Sequence, residues 1–261
     1  MATFRLHPLS LSSTILRLLL PACLLFACAR KQAPAAIHPE RAPLIIVLDD
    51  RSGTIDQQGI VKADAFFYNE VAGSLQTFCP GSILAVVLCG NPQPAAKSSF
   101  RFDADTFRIF TPGDDANLEE RYYARLSNDS IVTARNQRQQ AFIARIDRHI
   151  FQYQPDGADV TLLDEALLRV RNIIDSPIHS QRPKLLVVLS DGINENAFGD
   201  PIPFAQKFTK DSDDASLQIV LNSWENSDIS IFEHATVPLQ RTESLPDAQR
   251  CIQEFIRQNK I

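Results

Sequence analysis

Short, uninterrupted apolar runs alternate along this chain with longer stretches of helical period. Three such runs are LIIVL (44–48), SILAVVLC (82–89) and KLLVVLS (184–190). A run without a polar face is typical of a strand that is covered on both sides of a sheet. Apolar residues at three- and four-residue spacing predict helices over about 57–77, 161–174 and 246–258. This alternation predicts an α/β fold with a doubly wound, mostly parallel central sheet and helices on both faces.

The remaining pattern is less regular. TFRIFT (106–111) alternates apolar and polar residues, which predicts a third strand. Ser130 can cap a helix that continues to about Tyr153. Two late apolar runs, 216–221 and 229–234, predict the last strands.

The N-terminus has the pattern of an export signal. Residues 1–17 carry only basic charges, and the apolar stretch LLLPACLLFA (18–27) is too short to span a membrane. The sequence LFAC that ends at Cys28 resembles the lipobox of bacterial lipoproteins, which implies lipidation of that cysteine. LPAC, which ends at Cys23, is a second candidate.

These features predict three parts of the chain: a signal peptide over 1–27, the lipidated cysteine with an Ala/Pro-rich tether over 28–43, and one domain over 44–261. We expect an exported protein that is lipid-anchored to the cell membrane or the outer membrane, with its domain in the periplasm or outside the cell.

Composition and charge narrow the choice of partners. The chain is 44% hydrophobic and 22% charged, which is ordinary for a globular protein, and its net charge of −5 gives no electrostatic reason to expect nucleic acid.

Cys79 and Cys89 enclose a predicted strand whose ten residues would extend about 33 Å, far beyond a disulfide's reach. No Cys/His cluster indicates zinc, so we expect buried, inert thiols.

Acidic and hydroxyl residues follow two of the apolar runs. DDRSGT (49–54) follows the first run, and SDG (190–192) closes the KLLVVLS run. The carboxyl ends of parallel strands meet at one edge of the sheet, where ligands of open α/β sheets bind. The sequence therefore predicts a functional site at this edge.

Two enzyme-like interpretations explain this edge poorly. A haloacid-dehalogenase-like phosphatase would use Asp50 as nucleophile, but Ser52 stands where the family's second, acid–base carboxylate is expected. A response-regulator receiver would end a central strand with a phospho-accepting aspartate, yet the second apolar run ends in Cys89 and Gly90.

A third interpretation accounts for more residues. LIIVLDDRSGT resembles the D-x-S-x-S motif of von Willebrand factor A (vWA) domains, with Asp50, Ser52 and Thr54 at its positions and threonine replacing the last serine. Thr161, before a predicted helix, resembles the family's second motif, and Asp191 in VVLSDG resembles the third.

The vWA resemblance implies a metal-ion-dependent adhesion site (MIDAS) for Mg²⁺ or Mn²⁺. By this resemblance, the ion would be contacted directly or through water by Asp50, Ser52, Thr54 and Thr161. Asp191 would hold its water shell. Carboxylate and hydroxyl oxygens suit these hard cations on chemical grounds as well. In the family, one coordination position of the ion stays open, and an Asp or Glu carboxylate from a partner protein occupies it.

We therefore expect a cell-envelope lipoprotein that binds a protein partner through Mg²⁺. A metal-independent vWA scaffold is the alternative, and a Mg²⁺-dependent phosphatase is the third possibility. No GxSxG, HExxH, P-loop or GxGxxG motif indicates an enzyme. Asp49 is predicted to cap loop amides, with a hydrogen-bond acceptor behind the metal ligands as the alternative, and Trp224 is either an interface anchor or a structural residue.

Overall fold

The computed structural model describes residues 38–51, 63–89, 99–107, 109–150, 162–190, 216–222 and 238–261. All of them lie in one compact unit, Ile37–Ile261. The predicted signal peptide, Cys28, Trp224 and the predicted strand at 229–234 lie outside the described residues. Within these ranges, no helix combines the length and the apolar character that crossing a membrane requires.

One sheet organises the described residues. Its strands are β1 (Leu44–Asp50), β2 (Ile83–Cys89), β3 (Ser99–Asp103), β4 (Lys184–Leu189), β5 (Leu217–Asn222) and β6 (Leu239–Thr242). They are arranged in the order β3-β2-β1-β4-β5-β6, and all neighbours pair in parallel except β2 and β3. The predicted mostly parallel sheet is confirmed.

Helices cover both faces of this sheet. They are α1 (Ala65–Phe78), α2 (Leu118–Ile150), α3 (Leu163–Ile174) and α4 (Leu245–Gln258). Leu44, Ile46 and Leu48 of β1 share a buried cluster with α3. Ile45 and Val47, which point the other way, share a second cluster with α1, α2 and α4. The doubly wound arrangement is therefore confirmed, and it explains why β1 has no polar side chain before its last two residues.

Two predicted helix starts are wrong. The first helix begins at Ala65 rather than near 57, because the Asp64 carboxylate accepts a hydrogen bond from the Phe67 amide at 2.8 Å and caps it. The predicted cap at Ser130 is also wrong, since α2 starts twelve residues earlier. There Asn117 and Glu120 exchange side-chain-to-amide bonds of 2.9 and 3.2 Å, which form a capping box.

The third strand was predicted in the wrong segment. Residues 106, 107 and 109–111 of the predicted strand are not in a strand, and β3 comes before them. In β3, Phe100 and Phe102 are buried against the core, whereas Phe107 and Phe110 are more than half exposed. Strand β6 was not predicted, because its sequence LQRT has no apolar period.

Other predictions hold. Strands β1, β2, β4 and β5 lie where the apolar runs are, with β1 extended to include both aspartates. Helix α4 buries Ala248, Cys251, Ile252 and Phe255 as its spacing predicts. Cys79, Cys89 and Cys251 are buried, and burial raises the pKa of the Cys79 thiol to about 11, which keeps that thiol protonated.

The amino end of β4 buries positive charge. Arg182 donates from Nη1 to the carbonyl oxygens of Ala42 at 2.8 Å and Gly81 at 3.0 Å. The fully buried Lys184 donates to the Arg182 carbonyl at 3.2 Å. His179 is buried beside them. Arg182 therefore fastens the backbone segments that precede β1 and β2.

A candidate cation site at the carboxyl edge

The chain reverses its direction of progress across the sheet between β1 and β4. From β1 it moves outward through β2 and β3, and it then returns to β4 on the other side of β1. This is the topological switch point of a doubly wound sheet, and ligands bind in the crevice at the carboxyl ends of the strands there.

Two buried polar side chains meet at this switch point. Asp50 is the last residue of β1, and Ser190 directly follows β4. The Ser190 hydroxyl donates to Oδ2 of Asp50 at 2.7 Å, and the two residues are 1% and 3% exposed. A carboxylate and a hydroxyl from neighbouring strands are thus held together where the fold favours a ligand.

Asp49 points to the opposite face of the sheet, because successive side chains of a strand alternate. Its Oδ2 accepts hydrogen bonds from the Tyr68 hydroxyl at 2.5 Å and from Nε and Nη2 of Arg51 at 3.0 and 2.6 Å. Its described partners are therefore side chains, and residues 52 to 62 of the loop after β1, whose amides the prediction concerned, lie outside the described residues. Its Oδ1 is buried and has no hydrogen-bond partner among them.

The electrostatics of this cluster keep Arg51 charged and Tyr68 protonated. Burial by itself lowers the pKa of Arg51, but the Asp49 carboxylate and Tyr68 outweigh it, so the pKa of Arg51 is raised. Burial raises the pKa of Tyr68 well above its ordinary value, and the Asp49 charge raises it further. The Tyr68 hydroxyl therefore stays protonated and remains a donor.

Arg51 also ties together three parts of the chain. Its amide donates to the Cys89 carbonyl at the end of β2, at 3.0 Å. Its guanidinium bonds Asp49 and also donates from Nη2 to the carbonyl of Ala63, directly before the cap of α1. The residue after Asp50 is thus held by β1, by β2 and by the entrance to α1.

Of the five predicted metal ligands, Asp50 is the one that the structure describes. Ser52, Thr54, Thr161 and Asp191 lie outside the described residues. Within the described ranges, no group of three or more His, Cys, Asp or Glu residues could hold a metal ion. The donors that are described do fit Mg²⁺ by their chemistry, because Asp50 and Ser190 offer hard oxygen atoms.

Sequence reasoning assigned no role at this edge to two residues, Ser190 and Tyr68. Ser190 precedes the predicted ligand Asp191, and its position after a buried strand was the available signal. Tyr68 lies on the apolar side of α1 with Val71 and Leu75. A buried tyrosine hydroxyl needs a partner, and the aspartates at the end of β1 were the acceptors to consider.

Comparisons with known proteins find distant structural likeness. Proximal thread matrix protein 1 of the mussel byssus is 16% identical, with a TM-score of 0.43 over 83% of this chain and 47% of that protein. The pilus adhesin SpaC of Lactobacillus rhamnosus GG is 12% identical, with a TM-score of 0.45 over 84% of this chain and 30% of that one. A von Willebrand factor type A protein of Catenulispora acidiphila is 12% identical, with a TM-score of 0.41 over 84% and 43%.

This chain therefore spans less than half the length of each of these three proteins. No protein-family model and no curated protein matches the sequence. One of the three similar structures belongs to the vWA family that the sequence motifs resemble. At such low identities and TM-scores, the likenesses assign neither a family nor a function to this chain.

Proposed function

We propose that this chain binds a protein partner through a Mg²⁺- or Mn²⁺-dependent site at the carboxyl edge of its sheet. Asp50 would bind the ion together with Ser52, Thr54 and Thr161, and Asp191 would hold its water shell. A divalent cation there would offer an open coordination position to an Asp or Glu of the partner. The side chains of this chain would orient the ion and its water shell toward the partner.

One observation carries the proposal. Asp50 is a buried carboxylate at the switch point between β1 and β4, and a serine hydroxyl from the neighbouring strand end contacts it. Buried carboxylates in proteins are typically hydrogen-bonded, paired or bound to a metal, so a carboxylate buried at a ligand-binding edge favours a cation there. The neighbouring sequence DRSGT then supplies further hydroxyl oxygens directly after Asp50.

The test is calorimetric titration of Mg²⁺ and of Mn²⁺ into the full-length chain and its Asp50→Ala variant. We expect saturable binding to the wild-type chain and none to the variant, because the variant lacks the charged ligand. Asp103→Ala is the matched control, since that aspartate also ends a strand but is 57% exposed and paired with Arg101. It should bind the cation like wild type.

Partner binding gives the second readout. Proteins that co-purify with the wild-type chain in Mg²⁺ should be lost in EDTA and with Asp50→Ala. Partner retention under both conditions would contradict the metal mechanism and support a metal-independent scaffold instead. Mg²⁺-dependent hydrolysis of a generic phosphoester, abolished by Asp50→Asn, would support the phosphatase interpretation.

We also propose that the chain is exported and lipid-anchored through Cys28. The signal-like sequence of residues 1–27 and the lipobox-like LFAC support this proposal. Cys28→Ser should move the protein from the membrane fraction to the soluble fraction, and Cys23→Ser should not. The reverse result would place the modification at Cys23.

A further inference from the structure

Arg51 directly follows Asp50, and its side chain makes several contacts at once beside the candidate cation site. Its guanidinium bonds the buried Asp49 through two nitrogens and reaches the Ala63 carbonyl as well. Only 15% of the Arg51 side chain and 1% of the Asp49 side chain are exposed. This ion pair is therefore shielded from solvent and fixed in one geometry.

We propose that Arg51 is a positioning residue that sets how Asp50 presents its carboxylate to a divalent cation. This inference rests on the proposed function, because it assumes that Asp50 binds a cation. Arg51 would not touch the ion. Arg51 would act through the backbone, because it directly follows Asp50. Its side chain bonds Asp49, which precedes Asp50, and its amide bonds the Cys89 carbonyl.

The fastening leaves the backbone at Asp50 little freedom. On one side, the Asp49 side chain is clamped between Arg51 and the hydroxyl of Tyr68, which belongs to α1. On the other side, the Arg51 amide continues the pairing with β2 through the Cys89 carbonyl. The peptide units before and after Asp50 are thus both held, so the carboxylate that meets Ser190 leaves the backbone in a defined direction.

Arginine is the residue type that this task needs. Its planar fork carries several donors in fixed directions, so one side chain can bond a carboxylate and a carbonyl together. Lysine would keep the charge but not this geometry. Outer residues that orient metal ligands typically affect metal affinity by about 10- to 100-fold when they are replaced.

The chain offers a matched control for the ion pair. Arg101 and Asp103 of β3 are also two residues apart, and their closest nitrogen–oxygen distance, 2.6 Å, equals that of Arg51 and Asp49. The Arg101 pair, however, lies at the edge of the sheet with 50% and 57% of its side chains exposed. The Arg101 pair therefore has the same chemical groups as the Arg51 pair but is exposed to solvent and lies away from the candidate site.

The experiment titrates Mg²⁺ and Ca²⁺ into the full-length wild-type chain, Arg51→Gln, Arg51→Lys and Arg101→Gln. We expect Arg51→Gln to weaken Mg²⁺ binding by at least about tenfold. The loss should be larger for Mg²⁺ than for Ca²⁺, because Mg²⁺ demands strict octahedral geometry and Ca²⁺ does not. Circular dichroism confirms that each variant is folded, and a general loss of stability would not change this preference between cations.

The outcomes separate the two proposals. Wild-type binding that Arg51→Gln leaves unchanged would overturn the positioning role and leave the cation site intact. Absence of binding by the wild-type chain would overturn both. If Arg51→Gln does not fold, Arg51→Lys decides: a severalfold loss with a reduced Mg²⁺ preference supports the role, and wild-type affinity overturns it. Arg101→Gln should match wild type, and an equal loss there would also overturn the role.

Discussion

At the carboxyl ends of β1 and β4 the buried charges are negative, whereas at the amino end of β4 they are positive. Arg182 bonds the backbone carbonyls of Ala42 and Gly81, which are permanent parts of the fold, and Lys184 bonds the Arg182 carbonyl and the Ser216 hydroxyl. Asp50, by contrast, bonds a serine hydroxyl that could rotate or serve as a cation ligand itself. The difference suggests a division of labour in which the amino edge stabilises the fold and the carboxyl edge supports binding.

The largest effect on stability should come from the amino edge. Arg182→Met keeps the length of the side chain but leaves the Ala42 and Gly81 carbonyls without their charged donor, so we expect a loss of about 3 kcal/mol in the free energy of unfolding. Urea denaturation measures it, with Arg101→Met as the exposed control. Cation binding should be unchanged in the folded variant, and a large loss of affinity would break the division between the two edges.

A smaller loss is expected at the carboxyl edge. Tyr68→Phe removes one donor to the buried Asp49 carboxylate and leaves Arg51 in place, which should cost about 2 kcal/mol in urea denaturation. Tyr122→Phe is the control, because Tyr122 is 60% exposed. Equal stability of Tyr68→Phe and wild type would mean that Arg51 alone satisfies Asp49.

The smallest expected effect is a pH dependence of stability that arises at the amino end of β4. Burial lowers the pKa of His179 below its ordinary 6.5, and the charges of Arg182, Arg101 and Lys184 lower it further. The folded state therefore binds this proton less readily than the unfolded state. The contribution of His179 to stability is complete above the unfolded pKa and is lost as pH falls through and below that value.

Urea denaturation between about pH 7 and about pH 5 tests this difference. His179→Gln should lose less stability on acidification than wild type does, because glutamine does not titrate. His38→Gln provides the comparison, since His38 is exposed and pairs with Glu40. If the free energy of unfolding depends on pH equally in wild type and His179→Gln, protonation of His179 does not affect the stability of the fold.

The sequence predicted those strands that are buried at nearly every position. β1, β2, β4 and β5 are covered on both faces, so their apolar runs are unambiguous. β3 was missed because SFRFD and TFRIFT alternate equally well, and pairing with β2 selects the first. The start of α2 was missed because Ala124 is the only buried side chain of its first twenty residues, so no apolar period marks it.

The candidate site was predictable to a similar degree. Asp50 could be placed because an acidic residue after a buried strand of a parallel sheet must lie at the carboxyl edge. Its contact with Ser190 depends on which strands become neighbours, and the pairing of Asp49 with Tyr68 depends on how α1 packs. Both are tertiary facts that no local spacing contains.

The two consecutive aspartates of β1 raise a problem of register. A slip of this strand by one residue would turn Asp49 toward Ser190 and Asp50 toward Tyr68, and LIIVL would still present apolar side chains to both faces. Neither the carboxylates nor the apolar run can therefore specify the alignment. That information must come from the ends of the strand, where the Leu44 amide meets the Pro183 carbonyl and the Arg51 amide meets the Cys89 carbonyl. The bond of Arg51 to the Ala63 carbonyl and the bond of the Tyr68 hydroxyl to Asp49 would then favour the register that turns Asp49 toward α1.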